Sequence, residues 1–200
     1  QGFGKVGAPL AFLLTSAGMR VVAVSDIGGA VINEGGLDIK GLSDHVAETG
    51  SVVGFAGGES IAGDALWDVE CELLVPAALG GCIDTVVAKR ITADVVVEAA
   101  NGPTTIDAQS VLDERGIVVV PDILANAGGV TASYFEWAQA LQGYPWEEQV
   151  VAERLRQRMD TAFTAVWARA QTLEVGMRTA AHVVAVERVA AAIAARGLFP

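Results

Sequence analysis

The sequence predicts a doubly wound, mainly parallel α/β sheet followed by C-terminal helices, and three observations support this. The apolar runs 20–25 (RVVAVS), 72–75 (ELLV), 94–98 (DVVVE) and 117–120 (IVVV) do not alternate between apolar and polar residues. Strands covered on both faces look like this, whereas half-exposed strands alternate. Helical stretches stand between these runs, which is the order a parallel sheet with crossover helices requires. Finally, the chain opens on QGFGKVG, a Gly2-x-Gly4-x-x-Gly7 turn directly ahead of the first helical stretch.

The elements follow in order. A helix is expected over 8–18 (APLAFLLTSAG), with Pro9 in its first turn and Gly18 as its stop. Segment 28–63 is rich in glycine and reads as turns around a short helix over 42–49, at the sheet edge. A helix over 104–115 is signalled by Thr104 three residues before Asp107, a capping pair, and ends at Gly116. From Trp146 the pattern is helical only. Leu155, Met159, Phe163, Val166, Trp167, Ala170 and Leu173 recur at helical spacing as one apolar stripe, with Arg154, Arg156, Arg158 and Arg169 mostly off it. A last helix over 177–196 is so poor in charge that it is expected to be mostly enclosed, and Gly197 ends it. The chain thus reads as one domain over 1–200 whose part from about 146 to 200 is helical.

Composition narrows the function. With 52% apolar residues among 200 and a mean hydropathy of +0.44, the chain can bury a core and is not a disordered segment. A net charge of −11 argues against nucleic acid or an anionic membrane surface as partner, because both are bound by clustered Lys and Arg. Cys71 and Cys82 lack the spacing of a zinc site, and with His45 and His182 as the only histidines no metal centre is expected. No apolar run reaches membrane-spanning length and no signal segment is visible, so a reduced, cytoplasmic setting is expected.

The chemistry lies in the loops. Gly2, Gly4 and Gly7, with Phe3, Lys5 and Val6 between them, lead into a helix. The strand that follows ends in Asp26, nineteen residues after Gly7. In this layout the glycines let a pyrophosphate approach the backbone, the helix start offers N–H donors, and the carboxylate accepts from the adenosine ribose. A carboxylate there repels a 2′-phosphate, and residues 27–39 contain no Lys or Arg to offset it, so NAD is favoured over NADP. Asp26 could equally cap the turn after it. Further strand ends carry Pro76-Ala77-Ala78, Ala99-Ala100-Asn101-Gly102 and Asn126-Ala127-Gly128-Gly129. Small residues there admit a flat cofactor and the two asparagines offer amide groups, although Asn-Gly and Asn-Ala-Gly also serve as plain bends.

Taken in order and spacing, QGFGKVG, LLVPAAL, VVEAANGPTT, VVPDILANAGGVTASYFEW and MRTAAHVVAVERVA resemble the cofactor-binding half of the glutamate/leucine/phenylalanine/valine dehydrogenase family. The run PDILANAGGVTASYFEW is most like the glutamate dehydrogenases. The resemblance implies a Rossmann-like fold and reversible oxidative deamination of glutamate to 2-oxoglutarate with NAD, in a homo-oligomer. It implies that Asn101 and Asn126 line the nicotinamide end of a cleft, that Ala77 and Ala78 lie over the cofactor, and that Ser133 binds the substrate's side-chain carboxylate. Read without the family, Ser133 is an ordinary helix residue. LGGCIDTVV departs from the family pattern at Gly80, Gly81 and Cys82. The family's catalytic lysine and aspartate belong to a preceding substrate domain, and Lys5 is not in that lysine's context, so no catalytic residue is expected here. A dinucleotide-binding module without catalysis, acting as sensor or assembly partner, is the other reading.

A strand ought to precede QGFGKVG, in the middle of a sheet ordered 3-2-1-4-5-6, and an empty middle would leave two unpaired edges. The 200 residues are therefore expected to be a piece lacking its first strand and its substrate domain. Otherwise runs 20–25 and 72–75 would draw together or recruit a strand from elsewhere.

Overall fold

The structure, a computed structural model, describes residues 1–197. The last three positions of the expected helical part, 198–200, lie outside the described residues. The chain divides into two compact units, Gln1–Ile117 and Val118–Pro200.

In the first unit, helix α1 (Gly7–Ser16) follows the glycine turn, and Gly18, at φ +84°, lies just beyond it. Strand β1 (Ala23–Ser25) runs into a tight turn in which the Asp26 N–H donates to the Gly29 carbonyl at 2.9 Å. That turn is too short for a crossover, so β2 (Ala30–Ile32) pairs antiparallel with β1, Ser25 facing Ala30. Helix α2 (Ile39–Thr49) is capped by Asp38, whose carboxylate accepts from the Lys40 and Gly41 N–H groups at 3.1 Å each. Strand β3 (Glu59–Ile61) then pairs antiparallel with β2. Segment 28–63 is thus more ordered than its glycines suggested: β2 and β3 join β1 in a three-stranded antiparallel sheet of their own. Phe3, Ala11, Val24, Val31, Leu37, Ile39, Leu42 and Val52 form the core here, with Leu42 wholly buried.

A short 3-10 helix, Gly63–Asp68, leads to β4 (Leu73–Leu74). Asp84 caps α3 (Thr85–Arg90), and β5 (Val95–Val97) pairs parallel with β4, Leu73 facing Val95. Helix α4 (Ile106–Glu114) packs against α3 over the buried Ala88 and Leu112. Its cap is Thr105, which accepts from the Ala108 N–H, and not the expected Thr104. Thr104 is used instead in a bridge to Ile83, and its hydroxyl is buried without a hydrogen-bond partner among the described residues.

Among the described residues β1 and β4 do not pair with each other, so these neighbours have not drawn together. Gln1 and Gly2 link their ends. The Gly2 N–H donates to Ser25 O at 2.9 Å, Gln1 N to Val75 O at 2.9 Å, and Gln1 O accepts from the Ala77 N–H at 2.8 Å. Alongside lies a cavity of about 780 Å³ whose walls include Val22, Val24, Leu73 and Val75.

The second unit opens on β6 (Val118–Val120) and continues through α5 (Asp122–Ala125), α6 (Ala127–Gln142), α7 (Glu148–Leu173) and α8 (Met177–Arg196). Its core is Leu124, Val166, Ala170, Met177, Ala180 and Ala181. Arg178 on α8 reaches the Asp122 carboxylate on α5 at 3.0 Å, both side chains being largely shielded. Three expectations are corrected here. Asn126–Gly129 is no loop, because Gly128 and Gly129 lie in the first turn of α6. The α7 stripe buries Val166 and Ala170 but leaves Phe163 and Trp167 exposed, stacked on each other at 6.1 Å. Helix α8 is not enclosed either: small alanines cover its buried start, while Val186, Val189 and Ile193 are 67%, 60% and 52% exposed. Among the described residues no helix is long and apolar enough to cross a membrane.

Candidate functional site

The Gly2–Gly7 turn is wedged between α1 and the loop after β4. Gly2 has φ +95°, and a Cβ on it would stand 2.9 Å from Ala78 Cβ and 3.0 Å from Ala77 O. Both backbone angle and space therefore demand glycine. A Cβ on Gly7 would overlap the Gly2 carbonyl oxygen. Gly4 differs: nothing lies within 4 Å of its Cβ position and its φ is not left-handed, so the protein's own packing does not require glycine there. Phe3 points into the core, leaving its backbone to the turn, whereas Lys5 and Val6 are exposed. Val6 precedes the first residue of α1 and supplies no side-chain cap, while in the first turn the Ala8 N–H donates to Gly4 O at 3.0 Å and Pro9 has no N–H.

Gly2 thus meets Ala77 and Ala78. The loops after β4 and β5 are also tied together. Pro76 O accepts from the Ala99 and Ala100 N–H groups at 3.1 and 2.9 Å, and the Gly81 N–H donates to Gly102 O at 2.7 Å. Gly80 lies against the Asn101 carbonyl, 3.0 Å from where its Cβ would be, and the Asn101 side chain is on the exposed side of that loop. Glu98, which the sequence reading passed over, is fully buried one residue beyond β5 and is engaged in a polar interaction. The sequence does show one signal for it, a carboxylate closing an otherwise apolar run.

Asp26 sits at the end of β1 and does cap its turn: Oδ1 accepts from the Gly28 N–H at 2.7 Å. It is also held from across the unit. Ser51 Oγ donates to Oδ1 at 3.1 Å and the Val52 N–H to Oδ2 at 2.6 Å. Nothing in the sequence pointed to Ser51 or Val52, since the excursion through β2 and α2 is what brings them back to Asp26.

Near Gln1, Cys82 Sγ approaches the Gln1 side-chain oxygen at 3.9 Å. Burial pushes both the Cys71 and Cys82 thiols above the ordinary cysteine range, and both are unpaired. Among the described residues no group of three His, Cys, Asp or Glu side chains is placed to hold a metal ion.

In the second unit, Asn126 is the joint between α5 and α6, its N–H donating to Asp122 O at 3.0 Å. Ser133 is exposed on α6. Seven residues separate the two, so Asn126, Val130, Ser133 and Trp137 follow one face of that helix.

Parallel strands joined through helices, with a glycine turn feeding a helix at the sheet rim, make this a Rossmann-type α/β protein. The sequence profile of the Glutamate/Leucine/Phenylalanine/Valine dehydrogenase family matches residues 1–197, and the chain belongs to that family. It is 50% identical over its whole length to the NADP-specific glutamate dehydrogenase A1 of Halobacterium salinarum, covering 48% of that protein. It is 45% identical, over 98% of its length and 47% of the relative's, to the NAD-specific glutamate dehydrogenase of Staphylococcus aureus. A crystal structure of the hetero-hexameric glutamate dehydrogenase of Thermus thermophilus, in its leucine-bound form, superposes with a TM-score of 0.92 at 36% identity, over all of this chain and 47% of that one. The chain therefore spans about half the length of the relatives it matches.

Proposed function

We propose that this chain is the dinucleotide-binding part of an amino-acid dehydrogenase that interconverts L-glutamate with 2-oxoglutarate and ammonia. The observation that carries the reading is Gly4, a glycine that neither the fold's packing nor its backbone angle requires, at the opening of the turn that feeds α1. An open glycine beside a helix start is a cradle for a pyrophosphate, where any side chain would take the ligand's place. The nicotinamide ring, when bound, supplies the hydride acceptor. The protein's own residues bind and orient: the backbone N–H groups of the glycine turn leading into α1 are offered to the phosphates, because inside the helix the Ala8 N–H is taken by Gly4 O and Pro9 has none, Asp26 accepts from the adenosine ribose, and Ala77 and Ala78 leave room for a flat group. Asn101 and Asn126 offer amides to the nicotinamide end. Ser133 donates its hydroxyl to the substrate's distal carboxylate. The proton-transfer groups belong to a substrate domain outside these residues, which together with this part forms a homo-oligomeric enzyme. The carboxylate at Asp26 favours NAD over NADP, and the two unpaired thiols favour a reducing, cytoplasmic setting.

Calorimetric titration of the chain with NAD tests the reading, with Gly4→Val as the discriminating variant. Gly4→Val is expected to keep the parent's unfolding midpoint and lose NAD binding by at least about tenfold, the scale of one lost charge-assisted contact. Equal binding by parent and Gly4→Val, or no binding by the parent, would reject it. Turnover of glutamate with NAD by the full gene product tests the reaction, and bound NAD without turnover would point to a non-catalytic module.

A further inference from the structure

We propose that Ser51 is the positioning residue that sets discrimination between NAD and NADP, acting through Asp26. The inference rests on the nucleotide reading above and adds to it the means by which the carboxylate is held. Three donors converge on Asp26: the Gly28 N–H at 2.7 Å and the Ser51 hydroxyl at 3.1 Å on Oδ1, and the Val52 N–H at 2.6 Å on Oδ2. The direction of the Ser51 proton is fixed. Ser51 Oγ accepts from the Val53 N–H at 3.2 Å and a carboxylate can only accept, so the hydroxyl hydrogen goes to Asp26. Gly28 completes the arrangement. A Cβ there would stand 2.5 Å from Ser51 Oγ and 3.2 Å from Asp26 Oδ1, so glycine is what lets serine and carboxylate meet.

Two consequences follow for a ribose brought to this rim. An ionised carboxylate offers about four acceptor positions, so with three engaged one remains, on Oδ2, and Asp26 accepts a single ribose hydroxyl. A 2′-phosphate would meet a negative charge that cannot swing aside, over donors that are all already satisfied. The same three donors, freed of the carboxylate, would form an anion-accepting nest. Ser51 therefore strengthens NAD preference while Asp26 is present and would favour a phosphate once Asp26 is removed.

Calorimetric titration of the full gene product with NAD and with NADP, with unfolding midpoints followed by circular dichroism, tests this on six proteins: parent, Ser51→Ala, Ser51→Thr, Asp26→Ala, the Asp26→Ala/Ser51→Ala pair and Gly28→Ala. Ser51→Ala is expected to lower the NAD-to-NADP affinity ratio by about five- to tenfold, the net scale of a single intramolecular hydrogen bond. Ser51→Thr keeps the hydroxyl and is expected to restore the ratio. Asp26→Ala is expected to bind NADP more tightly than the parent, and the added Ser51→Ala to remove about fivefold of that gain. Gly28→Ala, which crowds the same pair, should shift the ratio in the direction of Ser51→Ala. A purely structural serine would lower the midpoint and weaken both nucleotides alike, leaving the ratio unchanged, and that result overturns the proposal. So does a double variant that binds NADP as tightly as Asp26→Ala. A parent that prefers NADP overturns the clamp's role but leaves the nucleotide site standing. A parent that binds neither nucleotide rejects the site itself.

Discussion

Gly7→Ala is the substitution on which the account of the opening turn is most exposed. A Cβ at Gly7 would overlap the Gly2 carbonyl oxygen and stand 2.8 Å from its carbon, where unbonded carbons sit about 3.5 Å apart. Gly2 would have to retreat by roughly 0.7 Å or more. It has little room to do so. Its N–H is bonded to Ser25 O at 2.9 Å, and its α-carbon already faces Ala78 Cβ and Ala77 O so closely that a methyl there would stand 2.9 and 3.0 Å from them. With Gly2 backed by the Ala77 backbone carbonyl and the rigid Ala78 methyl, the cost should fall at the upper end of overpacking, about 2–3 kcal/mol. In urea, with a slope of about 2 kcal/mol per molar, the unfolding midpoint should drop by about 1 M. The assay is equilibrium unfolding by far-ultraviolet circular dichroism. A midpoint within about 0.2 M of the parent would show that the turn is not wedged as described.

Three further outcomes are expected. Asp38→Ala removes the two-donor cap of α2 and should cost about 1 kcal/mol, measured by the same unfolding curves, with Asp38→Asn close to the parent. Cys71 and Cys82 have thiols raised by burial, so fewer are ionised at a given pH and iodoacetamide should modify both more slowly than a free thiol at pH 8.5, read by mass spectrometry. Rates equal to glutathione would contradict their burial. In the full-length enzyme, Ser133→Ala should raise the Michaelis constant for glutamate about tenfold while changing kcat less, and an unaltered constant would remove Ser133 from the substrate site.

Much of this architecture was legible in the residues. Unbroken apolar runs gave β1, β4, β5 and β6, each trimmed by one to three residues, because ends such as Arg20 and Glu98 lie beyond the paired backbone, Glu98 even though it is fully buried. Capping chemistry gave α4 but assigned it to the wrong threonine, since Thr104 and Thr105 are alike in sequence and only the bridge to Ile83 decides between them. The strands β2 and β3 were missed because three-residue pairings amid glycines leave no periodicity to read. Helix α6 was hidden in part by Gly128 and Gly129, whose low helix propensity is overridden by the α5 joint before them and the apolar run after. At the candidate site, the glycine turn and Asp26 stand out in the sequence because each rests on local spacing, and Ala77 and Ala78 enter through the family resemblance. Ser51 was not, because its meeting with Asp26 spans 25 residues and is created by tertiary folding alone.

The uncovered side of α8 carries a consequence for handling. Val186, Val189 and Ile193 form an oily ridge facing water, on a molecule whose dispersal in solution depends on a net charge of −11. Acidifying toward the isoelectric point near 4.5 withdraws that mutual repulsion while leaving the ridge unchanged, so preparations should cloud there first, and concentrated stocks are best kept well above it and at modest ionic strength.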